Sequence, residues 1–179
     1  MEKKYNVGLV LGRFQPLHIG HEAIIREALK QCEQVVVAIG SAQKQGVPSD
    51  PLSWQDRRDT IISCFSDEYY SNKLLVMPLS DRENYSNDSS FGEYIMSNVF
   101  KAFEVVPDVI FEGAEAVRKD WYNTLGIDVI QIDRGEIKTS GTQLREAIKN
   151  GEKDYIDRYT ATNAGKYHYK IKEVLTKYD

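Results

Sequence analysis

Within the ten residues GRFQPLHIGH, Gly12 to His21, an arginine and two histidines gather where an apolar run gives way to a helix-like one. Histidine carries a titratable ring and Arg13 a permanent charge, and neither is a natural filler for a packed junction. His18 and His21 stand three positions apart, so at a helix start both imidazoles can face the same way. Gly20 between them would leave room for a ligand to approach the backbone. The free N–H groups of a first helical turn favour an anion. Together with Arg13 these residues make a cradle suited to a polyphosphate. Two other readings stand beside it. The pair could begin a metal site, for which the neighbourhood offers no further ligand beyond Glu22. Alternatively, the rings could simply cap the helix or line the edge of the core.

A second polar stretch, TSGTQLR, runs from Thr139 to Arg145. Ser140 and Gln143 have the spacing of a capping box, and Arg145 follows one turn further in, where it is expected to face solvent in an empty site. The familiar phosphate loops, GxGxxG and GxxxxGK[ST], are missing; NAGKYH near the end has a Gly-Lys pair without the rest.

The elements that must position these residues alternate in period. YNVGLVLG, QVVVAIGS, KLLVMPLS, DVIFEGA and DVIQIDRG read as strands, most of them continuously apolar. Between them lie helical patterns. Ile24, Ile25, Ala28, Leu29 and Cys32 share one face of the first, and SWQDRRDTIISCF starts at an N-cap serine, Ser53. FGEYIMSNVFKAFE and EAVRKDWYNTLG supply two more, and DRENYSNDSS reads as a polar loop. From Ser140 the pattern is helical to the end, with Tyr167, Ile171, Val174, Leu175 and Tyr178 on one face. Buried strands alternating with helices predict an α/β fold: a doubly wound, Rossmann-like parallel sheet of about five strands with a helical C-terminal extension. Residues 1–179 are expected to form one domain, with an α/β core over 1–138 and a phosphate-binding helix plus C-terminal helices over 139–179. In such sheets ligands bind outside the carboxyl ends of the strands, where GRFQPLHIGH begins.

Composition narrows the classes. A net charge of -4 over 179 residues argues against a general nucleic-acid binder, which usually carries a basic footprint. No run reaches the ~20 apolar residues of a membrane span, and the apolar run near the start is short for a secretory signal. Cys32 and Cys64 form no CxxC pair and read as buried thiols in a reducing compartment, so a cytoplasmic location is expected.

GRFQPLHIGH resembles the GxFxPxHxGH signature of the nucleotidyltransferase superfamily, and TSGTQLR resembles its ISSTxIR-type motif, with Lys138-Thr139 replacing the leading Ile. Three further segments are similar to the archaeal type of nicotinamide mononucleotide (NMN) adenylyltransferase, and to the adenylyltransferase half of bacterial enzymes with an appended Nudix hydrolase. These are GRFQP, IGSAQKQGVPSDPLSWQDR and NDSSF, the last similar to an NDxxW element whose ring stacks on nicotinamide. Two departures stand out: Ser49 replaces a phosphate-contacting basic residue, and Phe91 replaces the tryptophan. Arg57 or Arg58 could supply the missing charge, or could form a solvated helix face. Phe91 could equally be a core residue, since Ile95 and Val99 follow at helical spacing.

The resemblance implies transfer of AMP from ATP to NMN, giving NAD and pyrophosphate. His21 would donate to the α-phosphoryl oxygens and His18 would hold the phosphates nearby, while Ser140, Thr142 and Arg145 would grip the β- and γ-phosphates. Gly12, Arg13, Phe14, Gln15, Gly20, Asn87, Asp88, Phe91 and Arg57 complete the implied nucleotide-binding set. Mg2+ would arrive with ATP, with no dedicated protein metal site. Relatives are often oligomeric, which leaves a homo-oligomer open, and neither nucleic acid nor membrane is an implied partner. Within the superfamily the rival acceptors are phosphopantetheine, or glycerol phosphate with CTP. A non-catalytic dinucleotide sensor is disfavoured by the two intact histidines.

Overall fold

The computed structural model describes residues 2–82, 90–114 and 124–179. Among them, β1 (Tyr5–Gly12) leads through a turn into α1 (Ile19–Gln31), which passes directly into β2 (Cys32–Ile39). There follow α2 (Trp54–Cys64), α3 (Ser66–Tyr70), β3 (Leu74–Pro78), α4 (Ser90–Phe103), β4 (Val109–Gly113) and β5 (Asp128–Ile132). The chain closes with α5 (Gly141–Asn150), α6 (Lys153–Tyr159) and α7 (His168–Lys177).

The strands are continuously apolar because both faces of the sheet are covered. Along β1, Val7 and Leu9 pack into one layer and Val10 into the other; along β2, Val36 and Ala38 face the first layer and Val35, Val37 and Ile39 the second. All pairings are parallel, in the order β3-β2-β1-β4-β5, with Leu9 opposite Val36 on one side and Ile110 on the other. The chain builds outward from β1 to β3, then crosses back to lay β4 on β1's free side. That reversal opens a crevice at the carboxyl ends of β1 and β4.

The helix boundaries follow local chemistry. Ser53 caps α2 by accepting from Asp56 N, as its sequence position predicts. Cys32 departs from expectation: it is not a helical residue but the extended first residue of β2. Its side chain is buried in the same layer as Ile25 and Ala28, so an apolar spacing that looks helical continues past the helix end. The C-terminal pattern also breaks. Gly151, at φ 68°, stops α5; residues 160–167 form no helix; and Tyr178 is 57% exposed rather than on an apolar face. The expected helix EAVRKDWYNTLG, Trp121 included, lies mostly outside the described residues, as does most of DRENYSNDSS.

The C-terminal helices cluster around a loop residue, Leu52, which is buried with Leu144, Ile148, Ile171 and Leu175. Polar ties reinforce this packing. Lys170 Nζ meets the Asp56 carboxylate at 2.9 Å, and Tyr167 donates to Asp59 at 2.9 Å. Among the described residues no helix is long and apolar enough to cross a membrane.

Candidate active site

At the start of α1 the two histidines cap the helix with their ring nitrogens. His18 is the N-cap: its Nδ1 accepts from Gly20 N at 3.0 Å, while His21 Nδ1 accepts from His18 N at 3.2 Å. This is a capping box with imidazoles in place of the usual hydroxyl and carboxamide. A backbone N–H on Nδ1 leaves the proton of a neutral ring on Nε2, so each imidazole is held as an Nε2–H donor. The rings stack with centroids 3.7 Å apart, and Phe14 stands edge-on to His21 at 4.9 Å. Burial, then the Arg134 charge, pushes the His18 pKa down to about 4. Burial, His18 and Arg134, in that order, hold His21 well below the ordinary imidazole range. Both rings are therefore neutral donors at neutral pH. Among the described residues no group of three or more His, Cys, Asp or Glu could hold a metal ion.

The turn that carries them is fixed by its own side chains. Phe14 adopts a left-handed φ of 55° and buries its ring against the end of β1, where a Cβ on Gly12 would come within 2.8 Å of it. Gln15 is buried and pairs with the Leu52 backbone in both directions, at 2.9 Å each way. Its carbonyl accepts from Arg145 at 2.8 Å. Phe14 and Gln15, expected among the nucleotide-binding residues, hold the turn in shape and also line the cleft beside His21. Gly20 differs from expectation too. The space above it holds no open approach for a ligand, because the Arg134 guanidinium and the His18 ring lie where a Cβ would point.

The arginines divide into distinct roles. Arg57 is fully buried and donates to the carbonyls of Arg13, Gly40, Ser41, Lys44 and Ser53. It is neither a solvated face nor a phosphate ligand: five carbonyls occupy its fork, and it stitches the loops after β1 and β2 together. Arg58 lies over the Trp54 ring and beside Asp59. Arg13, half exposed, pairs with Asp50 at 3.2 Å. Arg145 is buried, contrary to the solvent-facing expectation, and bonds the Gln15 carbonyl and Thr142 Oγ1. Ser140 caps α5 through Gln143 N at 3.2 Å.

Two adjoining clefts open along this edge, and Arg13 lines both. One, of about 170 Å3, is lined by Arg13, Phe14, Gln15, His21, Gly141 and Arg145. The other, of about 200 Å3, is lined by Leu11, Gly12, Ser41, Leu79, Asp81 and Phe91. Phe91 opens α4 and is partly buried, its ring 6.1 Å from that of Tyr94. The IGSAQ segment shapes the floor: Ser41 Oγ and Gln43 Nε2 both donate to Asp81, at 3.1 and 2.9 Å. Asn87 and Asp88 lie outside the described residues.

Residues 9–168 match the cytidylyltransferase-like family. The chain belongs to that family. A relative from Methanococcus aeolicus, named nicotinamide-nucleotide adenylyltransferase, is 31% identical over 147 residues, covering 80% of this chain and 78% of its own. Another of that name, from Aeropyrum pernix, is 28% identical over 153 residues, covering 83% of both chains. In fold, the chain is similar to a bifunctional NMN adenylyltransferase/ADP ribose pyrophosphatase from Francisella tularensis, solved with AMP and a manganese ion. That likeness has a TM-score of 0.73 at 22% identity over 96% of this chain, which spans about half the length of the Francisella protein. The family match takes in both GRFQPLHIGH and TSGTQLR. Arg134 was missed by sequence reasoning. Its only signal was its place, two residues past β5 on the same edge as the histidines.

Proposed function

We propose that this protein transfers AMP from ATP to nicotinamide mononucleotide, releasing pyrophosphate and forming NAD. The observation that carries the reading is the pair of stacked, neutral Nε2–H imidazoles, one of which lines the same cleft as Arg13 and Arg145. The attacking NMN phosphate is already anionic at neutral pH, so its oxygen needs no general base. What the reaction needs is alignment with the α-phosphorus and donors aimed at the charge that gathers there. His21 supplies such a donor without reorganisation, because its tautomer is set by the helix cap. His18 stacks on it and holds its orientation. In this reading Arg145, Ser140 and Thr142, around the start of α5, grip the β- and γ-phosphates and the departing pyrophosphate. ATP arrives as its magnesium complex, the metal entering as part of the substrate and keeping several waters.

The neighbouring cleft suits the acceptor. Phe91 offers a ring to stack on nicotinamide, and Arg13, shared between the clefts, can reach the mononucleotide phosphate. The test is a panel of acceptors. Purified protein with Mg-ATP is given NMN, nicotinate mononucleotide, phosphopantetheine or glycerol phosphate (the last also with CTP), and the products are separated by chromatography. NAD from NMN is the expected product. Turnover of phosphopantetheine or glycerol phosphate in its place would reassign the acceptor.

A further inference from the structure

We propose that Arg134 is a further ATP-contacting residue of this site, closing on the phosphates from the β5 side while Arg145 holds them from the α5 side; this rests on the adenylyl-transfer reading above. The first argument is position. Arg134 Nη1 lies only 2.0 Å from where a Cβ of Gly20 would be built, directly over the first turn of α1. The guanidinium covers the positive end of the α1 dipole, where negative charge is favoured, so it stands between that turn and an approaching anion. A ligand phosphate drawn to that turn therefore meets this guanidinium.

The second argument is charge. Mg-ATP brings net negative charge into a site whose histidines are both neutral. Of the arginines that the motifs supply, Arg57 is engaged with carbonyls and Arg13 faces Asp50. Ser49 stands where the similar enzymes carry a basic residue. Arg134 brings a cation close enough to act electrostatically on both imidazoles. The third argument is shape. Arg134 lines a polar cleft of about 360 Å3 with Lys138, Thr139 and Gln143, reaching the N-terminal turn of α5. On the adenylyl-transfer reading, phosphates gripped at the start of α5 would lie beside this cleft, which Asp133 also lines. A planar guanidinium there can bridge two phosphate oxygens, which a histidine cannot.

The experiment compares wild-type protein with Arg134→Gln and Arg134→Lys. In Arg134→Gln, kcat/KM for Mg-ATP should fall about 10- to 100-fold, the scale of a lost charge-assisted contact. KM for NMN and the unliganded Tm should stay close to wild type, and Arg134→Lys should recover part of the loss. In wild-type protein, saturating Mg-ATP should also shield Arg134 from an arginine-specific dicarbonyl reagent, as mapped by mass spectrometry. This arm needs no variant to fold. Wild-type ATP kinetics in Arg134→Gln would overturn the proposal, as would modification of Arg134 that Mg-ATP leaves unchanged. Equal losses toward ATP and NMN with a lowered Tm would overturn it in favour of a structural role. Wild-type protein that makes no NAD from NMN fails at the earlier step, and takes the adenylyl-transfer reading down first.

Discussion

His21 shows how one side chain serves two ends. Its Nδ1 accepts from the His18 backbone, and the same bond fixes a proton on Nε2, the donor that the proposed reaction calls on. His21→Ala should therefore lower turnover by about two to three orders of magnitude, the usual cost of a preorganised donor. ATP affinity, measured by calorimetry, should change far less; a proportional loss of affinity would show a ground-state role only. Arg145 carries a double load of its own. Replacing it with alanine removes the phosphate contact proposed for it and also strands the buried Gln15 backbone carbonyl. KM for ATP should rise, and unliganded stability should drop by about 1–3 kcal/mol in chemical denaturation. A melting curve unchanged from wild type would contradict this placement. Phe91 opens α4 partly buried beside the acceptor cleft. Phe91→Ala should weaken NMN binding by roughly 1 kcal/mol, with ATP affinity nearly constant and Phe91→Trp retaining it. An early-melting Phe91→Ala that binds NMN normally would make the ring a core residue instead. The histidines, the serine cap and Arg145 were visible in the sequence because their spacing is local. The fates of Arg57 and Gln15 were not, since both are decided by backbone partners from other loops, up to 44 positions away.

At the scale of the element, the N-terminus of α1 is the most exposed to pH. The His18 pKa stands at about 4 in the folded protein, against an unfolded value near 6.5. Between those values the unfolded chain binds the extra proton, so stability rises with pH across the window. The contribution is whole above about pH 6.5 and is lost as pH falls toward 4. His21, shifted the same way, adds to the slope. Protonation also puts a hydrogen on Nδ1, which breaks the cap from within. Melting temperature should thus fall as pH is lowered from 7 to 4. His18→Asn keeps an acceptor for Gly20 N and removes one titrating ring, so its profile should be shallower; an unaltered slope would contradict the cap assignment. Most elements were legible from their periods, and Tyr5–Gly12 and the Ser53 cap fell where the pattern put them. The misreading of Cys32 has a physical cause: the first residue of a strand that follows a helix without a loop can face the same core layer as that helix, so burial gives no boundary there.

Across the whole molecule, the C-terminal helices hold the site together from behind. Leu52 presents its backbone to Gln15 in the turn before α1 and its side chain to Leu144, Ile171 and Leu175. Ile171→Ala, at a fully buried position in α7, should cost about 2–5 kcal/mol in denaturant unfolding, although α7 lines neither cleft. A cost below 1 kcal/mol would mean that α7 merely rests on the surface. A doubly wound parallel sheet was implied by the alternating strands and helices, and ligands were expected outside the carboxyl ends of its strands. That Leu52 would anchor the extension could not be read, because a loop leucine carries no period. All of these scales meet in one claim: that the α-phosphoryl group leaves ATP within the His21–Arg145 cleft and passes directly to NMN. ATP labelled at the α-phosphorus tests it most directly. With wild-type protein, Mg2+ and NMN, the label should appear in NAD, one equivalent per pyrophosphate released, and His21→Ala should give the same product far more slowly. Label left in ATP, or released as AMP while NMN remains unconsumed, would contradict the account.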